Sequence, residues 1–227
     1  MPVDVASLVS KSLAMYVKDL RLELRTRYAI NAILMFGVTT LAVVSFSLGQ
    51  SGLPPDLLAA LFWIVVFFSA VSGLAHSFIR EEEAQTALAL KLAADPTTVY
   101  VGKLMFNLSL LTLMTVIITP IFFIFTDAPT TNVWTFLLIV VFGVLGLCGA
   151  TTLVAAIVAK AAVKGALFAV ISFPLLIILL MVLVGASEKI LAGQGLGDIL
   201  QETQVLVAYP IIMVTASLML FKFVWQE

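Results

Sequence analysis

An all-α integral membrane bundle of six transmembrane helices is the fold this sequence predicts. It adds an N-terminal amphipathic interfacial helix and a short cytoplasmic helix between spans two and three. Three observations carry that expectation. Of the 227 residues 62% are hydrophobic, only 11% are charged, and the charges fall between long uncharged runs. Soluble domains carry roughly 25% charged residues. A chain this poor in charge, with a mean hydropathy of +1.18, could not cover a globular surface.

A span needs roughly 20 mostly apolar residues at about 1.5 Å per residue. Six stretches qualify: 29–48, 57–79, 104–126, 133–159, 165–187 and 205–221, none containing Asp, Glu, Lys or Arg. The separators are polar or turn-forming, as in Gly52-Leu53-Pro54-Pro55-Asp56. Residues 1–28 stand apart as the interfacial segment, and 29–227 form one bundle. Residues 1–27 carry charges throughout and lack the short apolar core and cleavage site of a signal peptide.

Orientation follows from the cations. Lys11, Lys18, Arg21, Arg25, Arg27, Arg80, Lys91, Lys103, Lys160, Lys164 and Lys222 all fall on one side of the six spans, and Lys189 alone on the other. By the positive-inside rule both termini face the cytoplasm. A near-neutral balance of 12 basic and 13 acidic residues argues against a nucleic-acid binder, which shows a basic excess.

Within residues 3–27, Val5, Val9, Leu13, Tyr16, Leu20 and Leu24 recur at three- and four-residue steps, with Ser7, Lys11, Lys18, Arg21 and Arg25 opposite. Met15 and Leu22 fall on the polar side. Such a basic helix suits the cytoplasmic interface, where Lys11, Lys18, Arg21 and Arg25 would sit near the lipid headgroups. The other placement is a helix packed on the rest of the protein.

The loop after span two is the most informative segment. From Glu81 to Leu92 it is rich in strong helix formers. Asp95 and Pro96 then read as an N-cap and a first-turn proline, starting a helix that runs through Lys103 into span three. A short surface helix with an acidic start and an apolar side can dock a partner, with leucines in a groove and carboxylates at its rim. Alternatively, the three glutamates only hydrate a loop and favour a helix N-terminus. Gly102-Lys103 is not part of a phosphate-binding loop, because Thr97 stands where its first glycine belongs and Leu104 follows the lysine. The spans also lack the charges of an ion relay. If this chain does work, an outside motor must push on it.

The run Arg80-Glu81-Glu82-Glu83, Thr86-Ala87-Leu88, Leu90, Pro96, Val99, Gly102-Lys103, within six spans, resembles the permeases of the export-type ABC transporter class. Within that class the chain is similar to the CcmB family of cytochrome c maturation, the heme exporter permeases. Gln85 departs from the glycine usual before the threonine. The resemblance implies a bacterial inner-membrane subunit that is not itself an enzyme. Arg80, Glu81, Glu82, Glu83, Thr86, Leu88, Leu90 and Pro96 would couple it to a separate CcmA-like ATP-binding subunit. It also implies two permease copies per complex, heme as the handled ligand, and CcmC-like, CcmD-like and CcmE-like neighbours. Export of another amphipathic substrate (a lipid or drug) and a non-transporting scaffold are the alternatives.

Other residues read as structural. Cys148, the lone cysteine, is a small buried hydrophobe. His76, the lone histidine, would be an interfacial hydrogen-bonding residue rather than a heme ligand. Met35, Met105, Met114 and Met181 fill gaps. Gly143, Gly146 and Gly149 form a small-residue stripe for close helix packing, inside the chain or between copies. Pro120, Pro174 and Pro210 should kink their spans or free a carbonyl. Residues 187–204 are expected either as short helices dipping into the outer leaflet or as an amphipathic loop. No catalytic or metal site is expected, since the spans hold no H-E-x-x-H, Cys/His cluster or carboxylate pair.

Overall fold

The computed structural model describes residues 5–48, 53–74, 76–129, 131–159 and 164–226. The expectations for Gly49 to Gly52, for Lys160 and for the side chains of His76 and Lys164 lie outside what it describes. In chain order the helices are α1 (Val5–Thr26), α2 (Tyr28–Leu48), α3 (Pro55–Leu74), α4 (His76–Glu83), α5 (Ala87–Ala93), α6 (Pro96–Thr126), α7 (Val133–Val158), α8 (Lys164–Leu191) and α9 (Leu200–Gln226). A 3-10 turn, Leu196–Ile199, precedes α9. The described residues contain no strand, and six helices are long and apolar enough to cross a membrane.

Six long apolar helical stretches overlap the six expected spans, the second of them divided between α3 and α4, and several helices outrun those spans. Span three begins at Pro96, as the Asp95-Pro96 pair predicts. Asp95 sits at the N-cap with extended backbone, yet its side chain makes no capping hydrogen bond. The outer segment needs more correction. Helix α8 continues to Leu191 and α9 starts at Leu200, so among the described residues no dipping helix separates them beyond the four-residue turn. Lys189 pairs with Glu202 at 2.7 Å across that turn, and the Asn132 amide donates to the Gln194 carbonyl at 2.8 Å.

Helix α7 is the most enclosed span, against α9, α8, α6 and α3, and α2 is the least enclosed. Its glycine stripe explains this. An added Cβ on Gly143 would stand 2.2 Å from the Trp63 ring, and one on Gly146 2.8 Å from Leu179, whereas Gly149 faces Met213 and Val214 at ordinary distance. The stripe therefore serves packing inside the chain, where small residues let helices approach closely. Beside it Phe62 makes edge contacts with Phe122 (5.1 Å), Phe136 (5.0 Å) and Trp63 (5.2 Å). The Trp63 Nε1–H donates to Ser187 Oγ at 2.8 Å, tying α3 to α8. Helices α6, α8 and α9 run on through Pro120, Pro174 and Pro210. A second apolar core (Met15, Phe78, Ile79, Tyr100, Phe221 and Trp225 among its members) closes the end where α1, α4, α6 and α9 meet.

Candidate functional site: the charged junction beside the coupling segment

The expected single helix from Arg80 to Leu92 is in fact two. Helix α4 ends at Glu83, and the Thr86 N–H returns to the Glu81 carbonyl (3.0 Å) while the Gln85 N–H returns to the Glu82 carbonyl (3.1 Å). This is the Schellman closure of a helix C-terminus, which puts its C′ residue in the left-handed region. Gln85 occupies that place at φ +57°. The turn explains why glycine is usual there, and why helix-forming composition alone misreads the segment as continuous. A left-handed conformation costs a side-chain-bearing residue about 1–2 kcal/mol. Gln85→Gly should therefore raise stability by about 1 kcal/mol, read as a higher melting temperature of the purified protein in detergent. An unchanged or lower value would count against the turn.

Glu81 is turned inward. Its Oε1 accepts from Lys103 Nζ at 2.9 Å and from Lys18 Nζ, and its Oε2 accepts from the Thr86 hydroxyl at 2.7 Å. Lys103 Nζ also lies 3.0 Å from Asp19 Oδ2 and 5.6 Å over the Phe78 ring. Lys18 reaches Asp19 as well, at 3.3 Å. Burial works against the Lys18 charge, but the bond to Glu81 and the Asp19 carboxylate outweigh it and raise the amine above its ordinary pKa. Arg80 Nη2 pairs with Glu23 Oε2 at 3.0 Å, and the other Glu23 oxygen accepts the Ile30 N–H, also at 3.0 Å. Glu23 thus satisfies one of the N–H groups that the first turn of α2 leaves open.

These ions pull α1 into a place its periodicity does not indicate. It packs through Ser12, Met15, Asp19 and Glu23, which are buried, with Tyr16 and Leu20 at the edge. Val9, Leu13 and Leu24, read as one apolar face, stay largely exposed. The contact with α6 is close: a Cβ on Gly102 would stand 2.7 Å from Met15 Cβ and 3.0 Å from the Ser12 carbonyl. Ser12 Oγ also donates to the Thr98 carbonyl at 3.3 Å.

The structure therefore divides the expected coupling residues. Glu81 is buried, Arg80 is half-buried in its pair with Glu23, and Thr86, though exposed, spends its hydroxyl on Glu81. Leu90 and Pro96 are half-buried. Glu82 is half-buried and Glu83 exposed, and Leu88 is 70% exposed. Leu92, which the sequence reading did not single out, is 84% exposed one turn beyond Leu88. On the inner side of α5, Lys91 Nζ lies 5.7 Å over the Trp225 ring of α9. The segment is thus fixed on one side and presents two leucines on the other.

The profile of the family described as CcmB protein matches residues 10–225, nearly the whole chain. The chain belongs to the CcmB family. No curated protein matches it individually. CcmB membership carries a role as the transmembrane permease subunit in heme transport and cytochrome c biogenesis, and the six apolar helices fit a multi-pass membrane protein. The junction of α1, α4 and α6 lies within the matched CcmB region, as do Leu88 and Leu92 of α5.

Proposed function

We propose that this CcmB-family chain is the membrane subunit of an ABC-type complex whose separate, CcmA-like ATP-binding subunit docks on α4 and α5. The observation that carries the reading is the exposed pair Leu88 and Leu92 on α5, which a tight turn joins to α4, whose Glu81 is ion-paired to α1 and to α6. Force applied at α5 reaches α6 through the Thr86–Glu81 hydrogen bond and the Glu81–Lys103 ion pair. Lys103, the lysine of the Gly-Lys pair, is engaged by Asp19 and Glu81 rather than poised for a phosphate. That supports an external motor.

In this reading both termini and α5 face the cytoplasm of a bacterial inner membrane, α1 lies along its surface, and two permease copies meet the ATPase pair. Heme is the handled cargo, with CcmC-like, CcmD-like and CcmE-like proteins as neighbours. Fully burying a leucine in a partner pocket contributes about 1.5–3 kcal/mol relative to leaving it exposed. Leu88→Glu with Leu92→Glu should therefore cut retention of the ATP-binding subunit at least tenfold. The assay is affinity purification from native membranes with quantitative mass spectrometry, checked by an unchanged melting temperature. Undiminished retention of that subunit would sink the docking assignment.

A further inference from the structure

From sequence α1 is a mixed-charge helix, holding Lys11, Lys18, Arg21 and Arg25 beside Asp19 and Glu23. The fold sorts these charges. Both acids turn inward, Asp19 to Lys103 and Glu23 to Arg80. Lys11, Arg21 and Arg25 stay exposed on the far side, next to exposed Leu13 and Leu24. At 3.6 residues per turn the cations form one stripe and the apolar side chains the stripe beside it. Among the described residues of α1, no acid remains on that surface.

We infer that the outer face of α1 is a binding site for anionic phospholipid, with Lys11, Arg21 and Arg25 on the headgroup and Leu13, Val17 and Leu24 in the acyl boundary. Charge complementarity selects the occupant. An apolar stripe bordered by unopposed cations matches a lipid surface that is apolar below and negative above. Zwitterionic headgroups, whose phosphates are already balanced by their own ammonium groups, offer these three cations no net negative surface potential. The bound lipid also acts on the proposed coupling segment. Lys18 joins α1 directly to Glu81, and Glu23 joins it to Arg80, so holding α1 on the bilayer holds the base on which α4 and α5 rest. The inference rests on the cytoplasmic placement of α1 proposed above, but its test needs no ATP-binding subunit, so either reading can fail alone.

The test uses the full purified chain in nanodiscs of phosphatidylcholine alone, or with about one quarter phosphatidylglycerol to supply the anionic surface. Retained lipids are counted by native mass spectrometry, and amide hydrogen exchange follows α1 and residues 80–93. Each basic residue near such a surface contributes about fivefold in affinity, so Lys11→Gln with Arg21→Gln and Arg25→Gln should weaken phosphatidylglycerol retention roughly a hundredfold at low salt. The charge-keeping set Lys11→Arg, Arg21→Lys and Arg25→Lys should retain it. Phosphatidylglycerol should slow exchange in both segments of the unaltered chain and in neither segment of the neutral variant. Equal retention of the two lipids by the unaltered chain would overturn the inference, as would a neutral variant that still prefers phosphatidylglycerol.

Discussion

Replacing Lys103 by methionine should destabilise the protein by about 3 kcal/mol or more and release α1 before the bundle melts. The ammonium is almost fully buried, within 3.0 Å of Asp19 and 2.9 Å of Glu81, both themselves buried. Removing one partner of a buried pair leaves an uncompensated charge and costs about 3–5 kcal/mol. Here two carboxylates lose their shared cation. Lys18, which reaches both and is half exposed, compensates in part and holds the cost near the lower end. The expected result is a lower apparent melting temperature in detergent, with early proteolytic cleavage within α1. Adding Asp19→Asn and Glu81→Gln to Lys103→Met should recover most of the loss, because neutral amides are far cheaper to bury than orphaned carboxylates. If Lys103→Met alone melts with the unaltered chain, the cluster does not hold α1.

That same cluster marks the limit of what the sequence discloses. The six spans are legible because bilayer thickness imposes a length and a composition on each. The Asp95-Pro96 helix start is legible because proline fixes a backbone that suits a first turn. Partners distant in sequence are not legible this way. Asp19 meets Lys103 across 84 positions and Glu23 meets Arg80 across 57, so no local period announces either pair. Read alone, α1 presents one apolar face opposite its cations, suited to the membrane interface or to packing on the rest of the protein. In the fold, its acids are drawn inward by cations from α4 and α6, and the leucines are left facing out.

The coupling segment fails for a different reason. Composition from Glu81 to Leu92 is rich in helix formers and holds no glycine or proline as a stop signal, since Gln85 occupies a left-handed position that glycine would have advertised. Only the return of two N–H groups to the Glu81 and Glu82 carbonyls reveals the break. Leu92 escaped notice for the same reason: on one continuous helix it is one apolar residue among many. With α5 separated, it forms a pair with Leu88 that faces away from the bundle.

The stripe on α7 yields the second large effect, an opposite response to one substitution at two glycines six residues apart. Gly143→Ala should cost about 2 kcal/mol, within the usual range for overpacking a filled core. Its Cβ would lie 2.2 Å and 2.7 Å from two Trp63 ring atoms and 3.0 Å from Leu183. The ring has little freedom to retreat. Its Nε1–H is bonded to Ser187 and its neighbour Phe62 is wedged between Phe122 and Phe136. Gly149→Ala meets nothing closer than 3.4 Å, so the new methyl finds ordinary contacts while the helix loses a flexible residue. Alanine in a helix interior is favoured over glycine by about 0.5–1 kcal/mol, and stability should rise by that amount. Melting temperatures of the two variants in one detergent should fall on opposite sides of the parent. A rise for both would mean that α3 does not press on α7 as described. A fall for Gly149→Ala would mean that this end of the stripe has no room for a methyl group beside α9.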